Sequence, residues 1–274
     1  MMKNIRIIAL DLDDTLLRSD LSISHRTRHA IKLTENAGVT VVLASGRIPE
    51  AMEHPSRLLG LEKRPGYLVS NNGALIQESH TSKTIHEAKL ESSLALQICD
   101  LADAEGFALQ LYQDDIMYVS RRNEYSNVDQ RVTGLRQVLV ENFRAMVGAG
   151  CYKLIIPGDP KVLADVEKII GTYLGTNITM FTSRPSFLEI MAGNTDKGAA
   201  LAKIAGILGV GADEVLAIGD SMNDEAMIRW AGVGVAIGNA DDRIKKIANI
   251  VADNTNDNDG VAEIIEKYFP NEGS

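Results

Sequence analysis

Two aspartates with one residue between them, Asp11 and Asp13, stand directly after the apolar run Ile5-Arg6-Ile7-Ile8-Ala9-Leu10. That run is rich in β-branched residues and reads as a buried strand, so the pair emerges at a strand's carboxyl end, where open α/β sheets bind ligands. One carboxylate there can act as a nucleophile or as a ligand for a hard cation. A second one, two residues on, can manage protons if the chain turns to bring it back toward the first. The plainer role for Asp13 or Asp14 is to cap a turn or helix, and Asp11-Leu12-Asp13-Asp14-Thr15 alone does not choose between these roles.

Three later stretches also sit at strand ends or helix starts: Ser45-Gly46-Arg47 after Val39–Ala44, Asp196-Lys197-Gly198, and Gly219-Asp220-Ser221-Met222-Asn223-Asp224 after Val215–Ile218. In order and spacing, the four stretches resemble the motifs of the haloacid dehalogenase-like (HAD) hydrolase superfamily. Ser-Gly-Arg, Asn71-Asn72-Gly73-Ala74 and Gly-Asp-Ser-Met-Asn-Asp narrow the resemblance to its Cof-type, or class IIB, phosphatases, over essentially the whole chain. The resemblance implies an α/β protein with a Rossmann-like parallel-sheet core and an inserted α+β cap of the C2 type. It also implies a Mg²⁺-dependent phosphatase of small phosphorylated metabolites, sugar phosphates foremost.

Residue by residue, the resemblance makes Asp11 the nucleophile that forms an aspartyl-phosphate and Asp13 the acid, then base. Asp11, the backbone carbonyl of Asp13 and Asp220 would hold one Mg²⁺. Lys197, the Ser45 hydroxyl and the amides of Gly46 and Leu12 would contact the phosphoryl oxygens, and Asn223 most resembles a further phosphate contact. Asp224 is either a metal ligand or a group orienting Lys197 or the waters on the metal. Asn72 is a turn former or a substrate contact, Thr15 fixes the turn, and Arg47 pairs with a carboxylate or binds ligand. A solvated helix-start lysine is the dull alternative for Lys197, but a cation there opposes the helix dipole, which favours a functional reason. Two rival functions stay open, a phosphomutase of the phosphomannomutase-like type and a catalytically silent regulator that binds phosphometabolites.

The elements that must carry these residues alternate regularly at first. A strand to Leu10 leads to a helix capped by Ser24 and running to Asn36, a strand Val39–Ala44, a helix from Pro49 to Leu59, and a strand Tyr67–Ser70. Such alternation implies right-handed crossovers and a parallel sheet. From Thr84 the rhythm changes to hairpins: a helix Glu91–Glu105, strands Phe107–Tyr112 and Ile116–Val119 across Gln113-Asp114-Asp115, a strand Cys151–Ile156, a helix to Tyr173, and strands Ile178–Ser183 and Phe187–Met191. Residues 84–190 are therefore expected to form the inserted cap, and 1–83 with 191–274 the catalytic core. The core resumes with a helix Lys197–Leu208, strands at Val215–Ile218, Val233–Ile237 and Ile250–Ala252, and a closing helix Val261–Tyr268.

A chain of 274 residues, 45% hydrophobic and 24% charged, has the profile of a globular protein. Its net charge of −9 opposes polyanions, so no nucleic-acid partner is expected; small phosphate esters remain open because a local cation can reverse the field. The amino-terminal segment has no signal-peptide or membrane-span pattern, so the expectation is a cytoplasmic protein with no membrane partner, a monomer or homodimer. Cys99 and Cys151 read as small buried hydrophobes, and the five histidines, with no ligand spacing, as surface residues. Tyr112, Tyr118 and Lys153 are candidates for the cap's inner face, though packing or surface roles suit them equally.

Overall fold

The structure, a computed structural model, describes residues 4–113 and 116–270. The chain divides into two compact units, one comprising residues up to Glu87 and from Asp196 onward, the other Ala88–Thr195.

The first unit begins with β1 (Ile7–Leu10), α1 (His25–Asn36), β2 (Thr40–Ala44), α2 (Pro49–Leu59) and β3 (Tyr67–Ser70), followed by β4 (Leu75–Glu78) and β5 (Thr84–Glu87). Local chemistry sets these bounds. The Ser24 side chain accepts the Thr27 amide at the start of α1, Pro49 opens α2, and Gly60 ends α2 in the left-handed conformation. The second unit contains α3 (Ser92–Glu105), β6 (Gln110–Gln113), β7 (Ile116–Val119), α4 (Glu124–Thr133), β8 (Arg136–Leu139), α5 (Phe143–Val147), β9 (Lys153–Pro157), α6 (Pro160–Leu174), β10 (Ile178–Arg184) and β11 (Phe187–Ala192). The first unit then resumes with α7 (Lys197–Leu208), β12 (Val215–Gly219), α8 (Glu225–Trp230), β13 (Val233–Ala236), α9 (Asp242–Ile247), β14 (Ile250–Val251) and α10 (Gly260–Tyr268).

The first unit is built on an eight-stranded sheet in the order β14-β13-β12-β1-β2-β3-β4-β5. Pairings from β14 to β3 are parallel, and β4 and β5 add antiparallel strands at one edge. Every residue of β1 and β12 is buried, which explains why they read as unbroken apolar runs without alternation: helices cover both faces of a parallel sheet. The chain leaves β1 toward β2 on one side and returns to β12 on the other. The carboxyl ends of β1 and β12 thus flank the point where strand order reverses, the crevice in which such sheets take ligands.

The second unit is a six-stranded sheet, β10-β11-β9-β6-β7-β8, antiparallel except for β7 with β8. Leu109, Leu111, Leu154, Ile156, Leu188 and Ile190 of the sheet region pack with Ile98 and Cys99 of α3 and Leu163 and Val166 of α6 in a separate core. Both cysteines are buried and free. Lys153, only 5% exposed, pairs with Glu189 at 3.0 Å and lies 5.3 Å from the centre of the Tyr112 ring. The Tyr112 hydroxyl and the Gln110 amide both donate to Asp129.

Two differences from the sequence reading have physical causes, and one expectation is met. The strand Thr84–Glu87, assigned to the insertion, pairs with β4 in the larger sheet, while β11 extends to Ala192 because it pairs with β10; the chain changes unit after Glu87 and after Thr195 instead of after 83 and 190. The elements α4, β8 and α5 carried no sequence assignment; in α4 residue polarity misleads about burial, since polar Ser126 and Asp129 are buried while Val128 is exposed. The hairpin expected across Gln113-Asp114-Asp115 forms as β6 with β7, although Asp114 and Asp115 lie outside the described residues.

Both crossings of the chain lie near one short segment. Glu87 is the register partner of Leu75, and a Cβ on Gly73 would come within 2.3 Å of the Asp196 carbonyl oxygen. A linker of about six residues, at ~3.3–3.6 Å each, reaches across that gap. Replacing Ala88–Thr195 by such a linker should leave a monodisperse protein with a single cooperative melt. Aggregation or a non-cooperative melt would show that the first unit does not fold alone.

Candidate active site

β1 delivers Asp11 into the crevice, where its amide donates to the Ile218 carbonyl of β12 at 3.0 Å. The following turn is wide: Leu16 and Leu17 amides donate to the Asp11 and Leu12 carbonyls, Asp13 is extended and Asp14 left-handed, with φ of 55°. Asp13 is thereby turned back toward the end of β2, where both of its oxygens accept from Arg47, Oδ1 from Nη2 at 2.5 Å and Oδ2 from Nε at 2.9 Å.

Lys197 opens α7 behind its N-cap, Asp196, whose side chain accepts the Ala199 amide. The lysine is fully buried, and its Nζ lies 2.5 Å from Asp11 Oδ1 and 2.6 Å from Asp224 Oδ1. Burial works against its charge, but the two carboxylates outweigh that penalty and hold its pKa above the ordinary lysine value. The other oxygen of Asp224 accepts the amides of Asp220 and Ser221, at 3.0 and 3.1 Å. Two glycines permit this approach. A Cβ on Gly219 would stand 2.5 Å from the Asp224 carboxyl carbon, and one on Gly198 would stand 2.6 Å from the Ala226 backbone, blocking the packing of α7 on α8.

Ser45 follows β2 directly, almost wholly buried, and its carbonyl accepts the Asn72 amide at 2.9 Å. Gly46 lies against Asn72, since a Cβ there would meet the Asn72 side chain at 3.0 Å. Asn72 is left-handed, with φ of 52°, and its side-chain oxygen accepts from Asn223 Nδ2 at 3.0 Å. The structure therefore links the Ser45-Gly46, Asn72 and Asn223 segments, and joins Asp11, Lys197, Asp220 and Asp224 around the ends of β1 and β12. Three pairings were not legible in the sequence: Arg47 with Asp13, Asn72 with Asn223, and Thr15, whose hydroxyl donates to Asp220 Oδ1 at 2.9 Å. All six residues lie in or beside the motifs, but nothing in spacing says which pairs with which.

The electrostatics of the site are unbalanced. Carboxylate oxygens of Asp11, Asp220 and Asp224 all lie within 4.8 Å of one another, with one lysine among them. Burial first, then the charge of Asp224, pushes Asp11 well above the ordinary carboxylate range despite Lys197. The same two causes, in the same order, raise Asp220 to about 7 against the hydrogen bond from Thr15. Three converging carboxylates with a single monovalent counter-charge suit a hard divalent cation bound through oxygen. The histidines are exposed or half-buried and none belongs to this cluster. No helix among the described residues is long and apolar enough to cross a membrane.

The chain matches the haloacid dehalogenase-like hydrolase family over residues 8–265. It is 30% identical over 267 residues to the 5-amino-6-(5-phospho-D-ribitylamino)uracil phosphatase YcsE of Bacillus subtilis, covering 97% of this chain and 96% of that one. A haloacid dehalogenase-like hydrolase from Bacteroides thetaiotaomicron superposes with a TM-score of 0.85 at 31% identity, covering 97% of this chain and all of its own. The subclass IIB sugar phosphatase BT4131 shares the fold, with a TM-score of 0.79 at 19% identity over 96% of this chain and 98% of that one.

A cation bound at this cluster would compete with a proton for the Asp220 carboxylate. In the cation-free protein its raised pKa contributes stability that is fully present below the unfolded value of 3.8 and is lost as pH rises through about 7. Saturating Mg²⁺ should therefore raise the melting temperature more at pH 8 than at pH 5.5, and Asp220→Asn should remove most of that gain. An equal gain at both pH values would place the cation elsewhere.

Proposed function

Because this chain belongs to the haloacid dehalogenase-like hydrolases, as a phosphatase of the Cof type, we propose that it hydrolyses phosphate monoesters of small polyhydroxylated metabolites through an aspartyl-phosphate on Asp11. The observation that carries this reading is the buried Lys197 ammonium 2.5 Å from Asp11 Oδ1. An anionic nucleophile approaches a phosphate dianion only where cations offset the mutual repulsion, and here the offset is built in beside the attacking oxygen.

In the first step Asp11 attacks phosphorus, the bond to the ester oxygen breaks, and Asp13 gives that oxygen its proton. In the second, the Asp13 carboxylate takes a proton from water as the water oxygen attacks phosphorus, and the bond to Asp11 breaks to release inorganic phosphate. Asp11, Asp220 and the Asp13 carbonyl would hold Mg²⁺, which when bound supplies the further positive charge that the carboxylate excess calls for. Asp224 is assigned to orient Lys197, because Lys197 and two amides already occupy both of its oxygens. The Ser45 hydroxyl, the Leu12 and Gly46 amides, Asn223 and Asn72 are assigned to the phosphoryl group and its neighbourhood.

Support for the substrate class comes from the Bacillus relative, whose named substrate carries its phosphate on a ribityl chain. An alkoxide is a poor leaving group, and a built-in acid at Asp13 suits it. The Ala88–Thr195 unit is read as the cap that shields the intermediate and sets specificity, within a cytoplasmic protein.

The leaving group separates the two roles of Asp13. With p-nitrophenyl phosphate the departing phenolate needs little protonation, so Asp13→Asn should show a burst of phenolate followed by turnover slower by about 10²–10⁴-fold, the usual worth of general acid/base help. With a sugar phosphate no burst should appear, and Asp11→Asn should abolish both phases. Substantial turnover by Asp11→Asn, with no phosphoenzyme in rapid-quench samples of the wild type, would mean that water attacks directly.

A further inference from the structure

The proposed reaction leaves the Arg47 side chain without a part, yet Arg47 is the residue that holds the Asp13 carboxylate. Its guanidinium grips both oxygens, and among the described residues no other hydrogen bond holds that carboxylate. Arg47 itself is anchored: its amide donates to Ser45 Oγ at 3.2 Å, its carbonyl accepts the Asn71 amide at 2.8 Å, and Nη1 reaches the Ala51 carbonyl at 3.4 Å. The anchored end is thus the rigid junction of β2 with α2, while the gripped end is a turn whose next residue is left-handed.

A carboxylate gripped on both oxygens keeps spare lone pairs but is fixed facing the guanidinium, so swinging one oxygen toward the ester oxygen of a leaving group breaks half of the fork. A phosphate dianion offers a guanidinium fork the same two-oxygen geometry, and Arg is suited to that exchange where a lysine is not. The field of the nucleophile also reaches Arg47. The hydrogen bonds it donates to Asp13 lead in holding the guanidinium above its ordinary pKa, and the charges of Asp13 and Asp11 add to them.

Resting on the reading of Asp13 as acid and base, we propose that Arg47 is a positioning residue for Asp13. It fixes that carboxylate once the proton taken from water has passed to solvent, and passes its fork to the phosphate ester when substrate arrives, leaving one Asp13 oxygen free to take a proton back from solvent and direct it at the leaving group. The arrival of the phosphate and the release of the acid are then one event.

The ratio of kcat/KM for p-nitrophenyl phosphate to that for a hexose 6-phosphate tests this, because loss of phosphate binding common to both substrates cancels. Asp13→Asn should raise the ratio by about 10²-fold or more, and Arg47→Gln by about 10-fold. The double variant should exceed Asp13→Asn by no more than ~3-fold, since Arg47 acts through Asp13. Arg47→Lys should recover much of KM for both substrates without restoring the ratio, because a point charge lacks the fork. If Asp13→Asn raises the ratio while Arg47→Gln stays within about 2-fold of wild type, Arg47 is a binding or structural residue and the inference is wrong, with the role of Asp13 intact. If Asp13→Asn leaves the ratio flat, the acid assignment fails and takes this inference with it. Should Arg47→Gln misfold, the Arg47→Lys ratio decides: a wild-type value overturns the proposal.

Discussion

A fully buried ammonium held between two buried carboxylates is the interaction on which the site depends. Lys197 sits at the start of α7 against the helix dipole, in a place where an unpaired charge would be untenable. Asp11 and Asp224 make it tenable, and each is in turn held by backbone: Asp11 by the carbonyl of Ile218, Asp224 by the amides of Asp220 and Ser221. Removing one member of such a set leaves its partners buried and uncompensated, a loss of about 3–5 kcal/mol in comparable pairs. The lysine therefore joins the first turn, the β12 turn and the α7 helix in one electrostatic unit.

Sheet topology makes that unit possible. Asp11 and Asp224 are separated by the whole inserted unit, yet β1 and β12 are neighbours because the chain returns to the far side of the first strand. Parallel strands present their carboxyl ends on one edge, so residues that follow β1, β2, β3 and β12 all arrive at the same crevice. Gly219 and Gly198 then allow two close approaches that any Cβ would prevent. The excess of carboxylate over ammonium that results suits a hard divalent cation bound through oxygen.

The second unit solves a different problem. One core of apolar residues packs its sheet against helices, while Lys153, Glu189, Tyr112, Gln110 and Asp129 form a polar network that burial obliges to be paired. α4 gives Asp129 to that network and leaves Val128 exposed, so residue polarity along the chain does not mark its buried face.

Much of the molecule was determined by local sequence: the apolar runs of β1 and β12, the caps of α1 and α7, the glycine stop of α2, and the four motifs at strand ends and helix starts, each of which is a short-range consequence of residue type. Composition likewise foretold two buried thiols and histidines outside the cluster. The partners within the site were decided only by the tertiary structure. That Arg47 grips Asp13, that Thr15 ties to Asp220, and that Asn72 meets Asn223 depends on which strand ends become neighbours, and pairings across 34, 205 and 151 residues leave no periodic trace in the chain. The place where the chain changes units was equally invisible, because β5 looks like any short strand until β4 supplies the hydrogen bonds that claim it for the larger sheet.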